Sequence, residues 1–173
     1  MDAPVRLLRG SRATPIGEAV LVFDEPGRLR ALEFADHADR LARFLRLGYG
    51  AAARTDAATA PPGIADALDA YFAGDLAAID DIPCAPVGTS FQRAVWDALR
   101  DIPTGQSSTY AQLAARIGRP TAQRAVGAAN GANPIAVVIP CHRLVGADGS
   151  LIRYGGGLHR KAWLLRHEGA RPD

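Results

Sequence analysis

The chain has 173 residues, 48% apolar and 22% charged, with a formal net charge of +2. These values match ordinary globular usage and exclude a collagenous, disordered or mainly coiled-coil chain. The length suits one domain or two small ones, and so small a net charge does not by itself announce a nucleic-acid partner.

Two cysteines, Cys84 and Cys141, allow at most one disulfide, so a reduced, cytoplasmic setting is expected. The first twenty residues carry charges where a signal peptide needs an apolar stretch. The longest strongly apolar runs, Val20–Phe23 and Ile135–Ile139, are far too short to span a bilayer. No membrane partner is expected.

The pattern predicts a small N-terminal α+β domain over 1–84, an antiparallel sheet with helices, and a second domain over 85–173. Ala19–Phe23 and Leu29–Phe34 read as strands joined by the turn Asp24-Glu25-Pro26-Gly27. Leu41, Phe44 and Leu45 recur at helical spacing and stop before Gly48. Residues 50–63 read as loop. Ile64, Leu68, Tyr71 and Phe72 mark a helix ended by Gly74, and residues 80–88 read as a linker containing Cys84.

In the second part, Phe91, Val95, Ala98 and Leu99 share a helical face, with Thr89 or Ser90 as N-cap. Ser108 or Thr109 caps the next helix, which places Tyr110, Leu113, Ala114 and Ile117 inward and stops at Gly118-Arg119-Pro120. Thr121 is the expected cap of a further helix to about Gly131. Two short helices around a three-residue, Gly-containing turn make a helix-turn-helix pattern. Ile135–Ile139 reads as a short buried strand that delivers Pro140-Cys141-His142-Arg143. Gly155–Gly157 precede a closing helix with Leu158, Ala162 and Leu165. Trp96 and Trp163 are expected in the core.

Charge becomes informative when counted locally. Residues 1–87 hold 9 basic and 13 acidic side chains, a balance of −4; residues 88–173 hold 11 and 5, a balance of +6. A positive half attracts polyanions, and beside a helix-turn-helix it favours DNA over a merely solvated face. The second helix, TAQRAVGAANG, is mostly Ala and Gly rather than base-reading side chains. Its small residues fit close approach to DNA, with Arg124 long enough to enter the base stack as minor-groove binders do; they also fit packing against another helix. Cys141 is a nucleophile only as thiolate, and His142 and Arg143 are the local base and positive field. The alternative is a structural cysteine, and adjacent side chains on an extended chain point to opposite faces.

IPCHRLVG, preceded by RAVGAANGANPIAVV and followed by YGGGLHRKAWLLRHEG, resembles the O6-alkylguanine-DNA alkyltransferases. The resemblance runs almost continuously from about Gly88 to Gly169, and is weak at Thr14–Gly17 and Leu32–Phe34. It implies irreversible, one-time transfer of an alkyl group from O6-alkylguanine, and less well O4-methylthymine, in double-stranded DNA to Cys141. It implies no cofactor and no metal. Within it, His142 takes the thiol proton through a water, Glu168 orients His142, and Asn133 braces the turn before the active site. Arg124 is the finger that replaces the flipped base, with Ala125, Ala128 and Gly131 against the minor groove. Tyr110 crowds the target phosphate and Tyr154 hydrogen-bonds the guanine. Pro140, Ile152 and Arg153 border the pocket.

Two departures from that pattern stand out. Family members often carry Thr-Gly or Gly-Asn where this chain has Ile152-Arg153, which leaves the range of alkyl groups open. No cysteine precedes Cys84, so neither a family structural zinc nor a four-cysteine methyl-phosphate sensor fits this chain. A monomer is expected, with cooperation along DNA left open. Alternatives are a module that binds alkylated bases without transfer, which in the family lacks the acceptor cysteine, and a transcription regulator, which would carry base-reading side chains. A thiol hydrolase fits worse, because a methyl thioether has no hydrolytic step.

Overall fold

The computed structural model describes residues 4–171. The chain divides into two compact units, Met1–Val87 and Gly88–Asp173.

The first unit is built on a four-stranded sheet of β1 (Leu7–Thr14), β2 (Gly17–Asp24), β3 (Leu29–Phe34) and β4 (Thr55–Ala57), in the order β3-β2-β1-β4. The first three strands are antiparallel, and β4 adds a short parallel edge to β1. The sheet is therefore mixed rather than purely antiparallel. β1 and β4 were not expected from the sequence. In β1, residues from Leu8 onward alternate between half-buried and exposed, and Arg9, Ser11 and Arg12 hide the apolar signal. β4 lies in the stretch that reads as loop. β2 and β3 are buried almost throughout, as strands covered on both faces are. One face packs Leu7, Val20, Val22 and Ala31 against Leu41 of α1 (Ala38–Tyr49), with Leu45 and Tyr49 beside them. This helix runs through Gly48 rather than stopping before it. α2 (Pro62–Phe72) buries Ile64, Ala65, Leu68 and Tyr71.

The second unit holds α3 (Ser90–Arg100), α4 (Tyr110–Arg116), α5 (Gln123–Gly131) and α6 (Leu158–His167). Thr89 caps α3 and Thr109 caps α4, each through a capping box closed by Gln92 and Gln112. The Trp96 indole lies over Gly88, where a Cβ would come within 2.5 Å of the ring, and its Nε1 donates to the Ala129 carbonyl at 2.9 Å. That bond ties α3 to α5. α4 ends in a left-handed Gly118, with Arg119 N donating to the Ala114 carbonyl, the geometry of a Schellman stop. Six residues, 117–122, separate α4 from α5, twice the expected turn. Thr121 does not cap α5: its N-cap is Ala122, with no side-chain bond. Two-residue strands β5 (Ser108–Thr109) and β6 (Leu144–Val145) pair in parallel. Trp163 is half-buried and stacks on His167 at 4.7 Å between ring centroids.

Among the described residues no helix is long and apolar enough to cross a membrane.

Candidate active site

Ile135–Ile139 is buried but is not a strand. It is a tight turn, with Val138 N donating to the Ala136 carbonyl at 2.8 Å and Ile139 N to that of Ile135 at 3.1 Å. A short apolar run is equally compatible with strand and buried turn, so periodicity alone misread it. The turn forces Val137 to φ +70°, a costly position for a β-branched residue. Asn133 holds it there. Its Nδ2 donates to the carbonyls of Ile139 (2.8 Å) and Ile135 (3.3 Å), and its Oδ1 accepts from Ile135 N at 3.0 Å. All these groups are buried, so each bond replaces water that cannot enter.

The turn feeds Pro140 and then a single 3-10 turn, Cys141–Arg143, all buried. Cys141 is therefore not on an extended strand, and the expectation of opposite faces for Cys141 and His142 does not apply. Both cysteines are thiols, and Cys141 is 7% exposed.

His142 is wholly buried, and its Nε2 lies 2.8 Å from Glu168 Oε2. Glu168 sits at the C-cap of α6, fixed by the left-handed Gly169 that follows. Arg143 approaches the same carboxylate with two bonds, Nε to Oε1 at 2.8 Å and a terminal nitrogen to Oε2 at 3.1 Å. It also donates to the Ile102 carbonyl at 2.7 Å and to Thr104 Oγ1 at 3.3 Å.

Burial alone would raise the Glu168 carboxyl, but His142 and Arg143 outweigh it and hold it well below the usual range. Glu168 is thus a carboxylate that can only accept, so the proton of the neutral imidazole lies on Nε2. Burial lowers the His142 pKa, with Glu168 opposing, which keeps the ring neutral. Nδ1 is left as the basic atom, buried and without a hydrogen-bond partner.

Arg143, expected to supply a positive field to the thiol, is committed to Glu168. A second buried cation lies close to Cys141: Lys161 on α6. Its Nζ donates to the Leu144 carbonyl at 2.5 Å and to the Arg153 carbonyl at 2.9 Å. Desolvation lowers its pKa to about 8, against the attraction of a Cys141 thiolate. Sequence reading missed this residue. The available signal was the single lysine of the chain, spaced i, i+3, i+4 and i+7 with buried Leu164, Leu165 and Glu168.

The other predicted residues divide into two groups. Tyr110 opens α4, half-buried, with its ring over Gly127 of α5, 3.6 Å from where a Cβ would stand. Burial raises its phenol; Arg153 acts against that rise and Cys141 adds to it. The Tyr154 hydroxyl is buried, whereas Ile152 and Arg153 are exposed. On α5, Arg124, Ala125, Ala128 and Gly131 are all exposed, while Val126, Ala129 and Asn130 face inward. Cys84 lies in the first unit, where its thiol donates to the Ile82 carbonyl at 3.5 Å. Among the described residues no group of three or more His, Cys, Asp or Glu is arranged to hold a metal ion.

A family model described as the DNA-binding domain of 6-O-methylguanine DNA methyltransferase matches residues 90–170. The methylated-DNA–protein-cysteine methyltransferase of Salmonella typhimurium is 54% identical over 166 residues, 95% of this chain and 97% of that protein. Its counterpart in Shigella flexneri is 50% identical over the same shares. The crystal structure of Mycobacterium tuberculosis O6-methylguanine methyltransferase superposes with a TM-score of 0.77 at 36% identity, covering 96% of this chain and 95% of that one. Mycobacterium tuberculosis OGT in complex with DNA gives 0.77 at 36%, covering 92% and 91%.

Proposed function

The chain belongs to the methylated-DNA–protein-cysteine methyltransferase family, and from that premise we propose that it repairs O6-alkylguanine in double-stranded DNA by a single, irreversible transfer to Cys141. The observation that carries this reading is the buried Glu168–His142 pair, with the basic Nδ1 of His142 on the residue next to the thiol.

In the reaction the Cys141 sulfur attacks the methyl carbon in line. The S–CH3 bond forms as the O6–CH3 bond breaks, and the electron pair leaves with guanine. The thiol proton passes through water to His142 Nδ1 and then returns to the guanine. Glu168 stabilises the imidazolium meanwhile. Since the product is a thioether with no hydrolytic exit, each protein acts once.

The thiol is buried, so the base must leave the duplex, at a cost of about a few kcal/mol that is smallest for a damaged pair. In this reading α4 and α5 form a helix-turn-helix that enters the minor groove on the exposed Ala125, Ala128 and Gly131. Arg124 fills the vacated stack, and Tyr110 crowds the target phosphate. Tyr154 and Pro140 line the pocket beside Ile152 and Arg153, and Asn133 braces the turn beneath. O4-methylthymine is the poorer substrate, and the protein acts as a monomer in the cytoplasm.

Incubation with a duplex carrying one O6-methylguanine, followed by peptide mass spectrometry, tests the assignment. A gain of one methyl on the peptide holding Cys141, absent in Cys141→Ser, is expected. A methyl elsewhere, or repair surviving that substitution, refutes it.

A further inference from the structure

Arg153 is a cation without an ion-pair partner among the described residues. Its guanidinium makes no ion pair or hydrogen bond among the described residues, and the side chain is exposed. Between Ile102 and His167 the only acid is Asp148, whose carboxylate is turned into its own loop by Ser150 N at 3.0 Å. Glu168 is buried and saturated by His142 and Arg143.

The backbone beneath Arg153 is fixed. Lys161 Nζ holds the Arg153 carbonyl with one bond and the Leu144 carbonyl with another. Leu144 caps the 3-10 turn that carries Cys141, so one buried ammonium ties the base of Arg153 to the nucleophile's turn. The neighbouring Ile152 folds back on its own loop, its Cδ1 2.8 Å from where a Gly146 Cβ would stand. Tyr110 lies close enough to feel the charges of both Arg153 and Cys141. Arg153 therefore lies near Tyr110 at the start of α4, on backbone tied to the turn that carries Cys141.

We propose that Arg153 is a second cationic DNA contact, gripping a backbone phosphate beside the flipped nucleotide and so making transfer to Cys141 specific for duplex-borne lesions. This rests on the alkyl-transfer reading above. An oxyanion is the ligand that an unpaired, exposed guanidinium takes best, through two parallel N–H donors. The same chemistry would also greet a carboxylate on the alkyl group itself, and the experiment separates the two.

Rates of Cys141 methylation are compared for wild type, Arg153→Gly and Arg153→Lys across a series of salt concentrations. Loss of one phosphate contact lowers the slope of log rate against log salt by about 0.9. Arg153→Gly should show that change, with the duplex-to-free-base rate ratio falling several-fold, and Arg153→Lys should keep the wild-type slope. A single methylphosphonate beside the lesion should slow wild type and add nothing to Arg153→Gly. An unchanged slope, or equal losses on duplex and free O6-methylguanine, overturns the proposal. So does an effect of Arg153 confined to an O6-carboxymethyl adduct. The slope is also read from binding of the lesion duplex to Cys141→Ser proteins with and without Arg153. Absence of methyl transfer would therefore defeat the functional reading without sparing this one from test.

Discussion

His142 Nε2 stands 2.8 Å from Glu168 Oε2, and the same carboxylate is gripped by Arg143. In the proposed reaction three consecutive residues divide the work: Cys141 carries the sulfur, His142 is the base, and Arg143 supplies charge that keeps Glu168 ionised. Glu168→Gln removes the carboxylate that raises the basicity of His142. Methyl transfer should slow by about 10²-fold or more. The variant also leaves the Arg143 cation buried without its counter-charge, at about 3–5 kcal/mol of stability. Rates must therefore be read at a temperature where circular dichroism shows the variant folded; a wild-type rate there contradicts the relay.

Lys161 makes the second unit respond to alkaline pH. Its pKa in the fold is lowered to about 8, whereas an unfolded lysine titrates near about 10.4. Between those values the unfolded chain holds more protons, so the stability contributed by this group rises with pH across that window. Urea unfolding should show wild type gaining on Lys161→Met between about pH 8 and about 10. Parallel curves for the two proteins would show that the buried ammonium keeps its proton.

Asn133→Ala strips the turn ahead of Cys141 of three bonds, strands Ile135 N in a dry interior and leaves the Ile139 carbonyl with the Cys141 N–H alone. A loss of about 1–3 kcal/mol is expected from denaturant midpoints. Because Val137 is held at a strained φ by that clasp, transfer should slow even where the variant is fully folded.

Arg124→Ala tests the exposed face of α5. The finger role demands that repair of duplex DNA fall by at least ten-fold more than reaction with free O6-methylguanine, since only the duplex has a base stack to fill. Equal losses in a side-by-side rate measurement would contradict the finger role.

The apolar periodicities of α1, α2, α3 and α4 were legible in the chain, as were β2 and β3, because each buries a stripe or a run that the sequence displays. β1 was hidden because its exposed positions carry Arg9 and Ser11, and its half-buried ones include Gly10, Arg12 and Thr14 beside Leu8. The turn at Ile135–Ile139 passed for a strand because nothing local distinguishes a buried turn held by a side chain from a buried strand. Cys141, His142, Glu168 and Asn133 could be named from a family resemblance, but the partnership of Arg143 with Glu168 spans 25 residues and has no local signature. Arg143 therefore looked like a neighbour of the thiol, while Lys161, a buried cation beside it, went unnoticed. The net charge was misleading for a similar reason: +2 for the whole chain conceals +6 on the half that carries Cys141.

The central claim is stoichiometric. Protein mixed with a large excess of duplex containing one O6-methylguanine should remove lesions only until one has been lost per protein molecule, with every Cys141 then recovered as S-methylcysteine. Lesions disappearing beyond one equivalent, with Cys141 still a thiol, would contradict it.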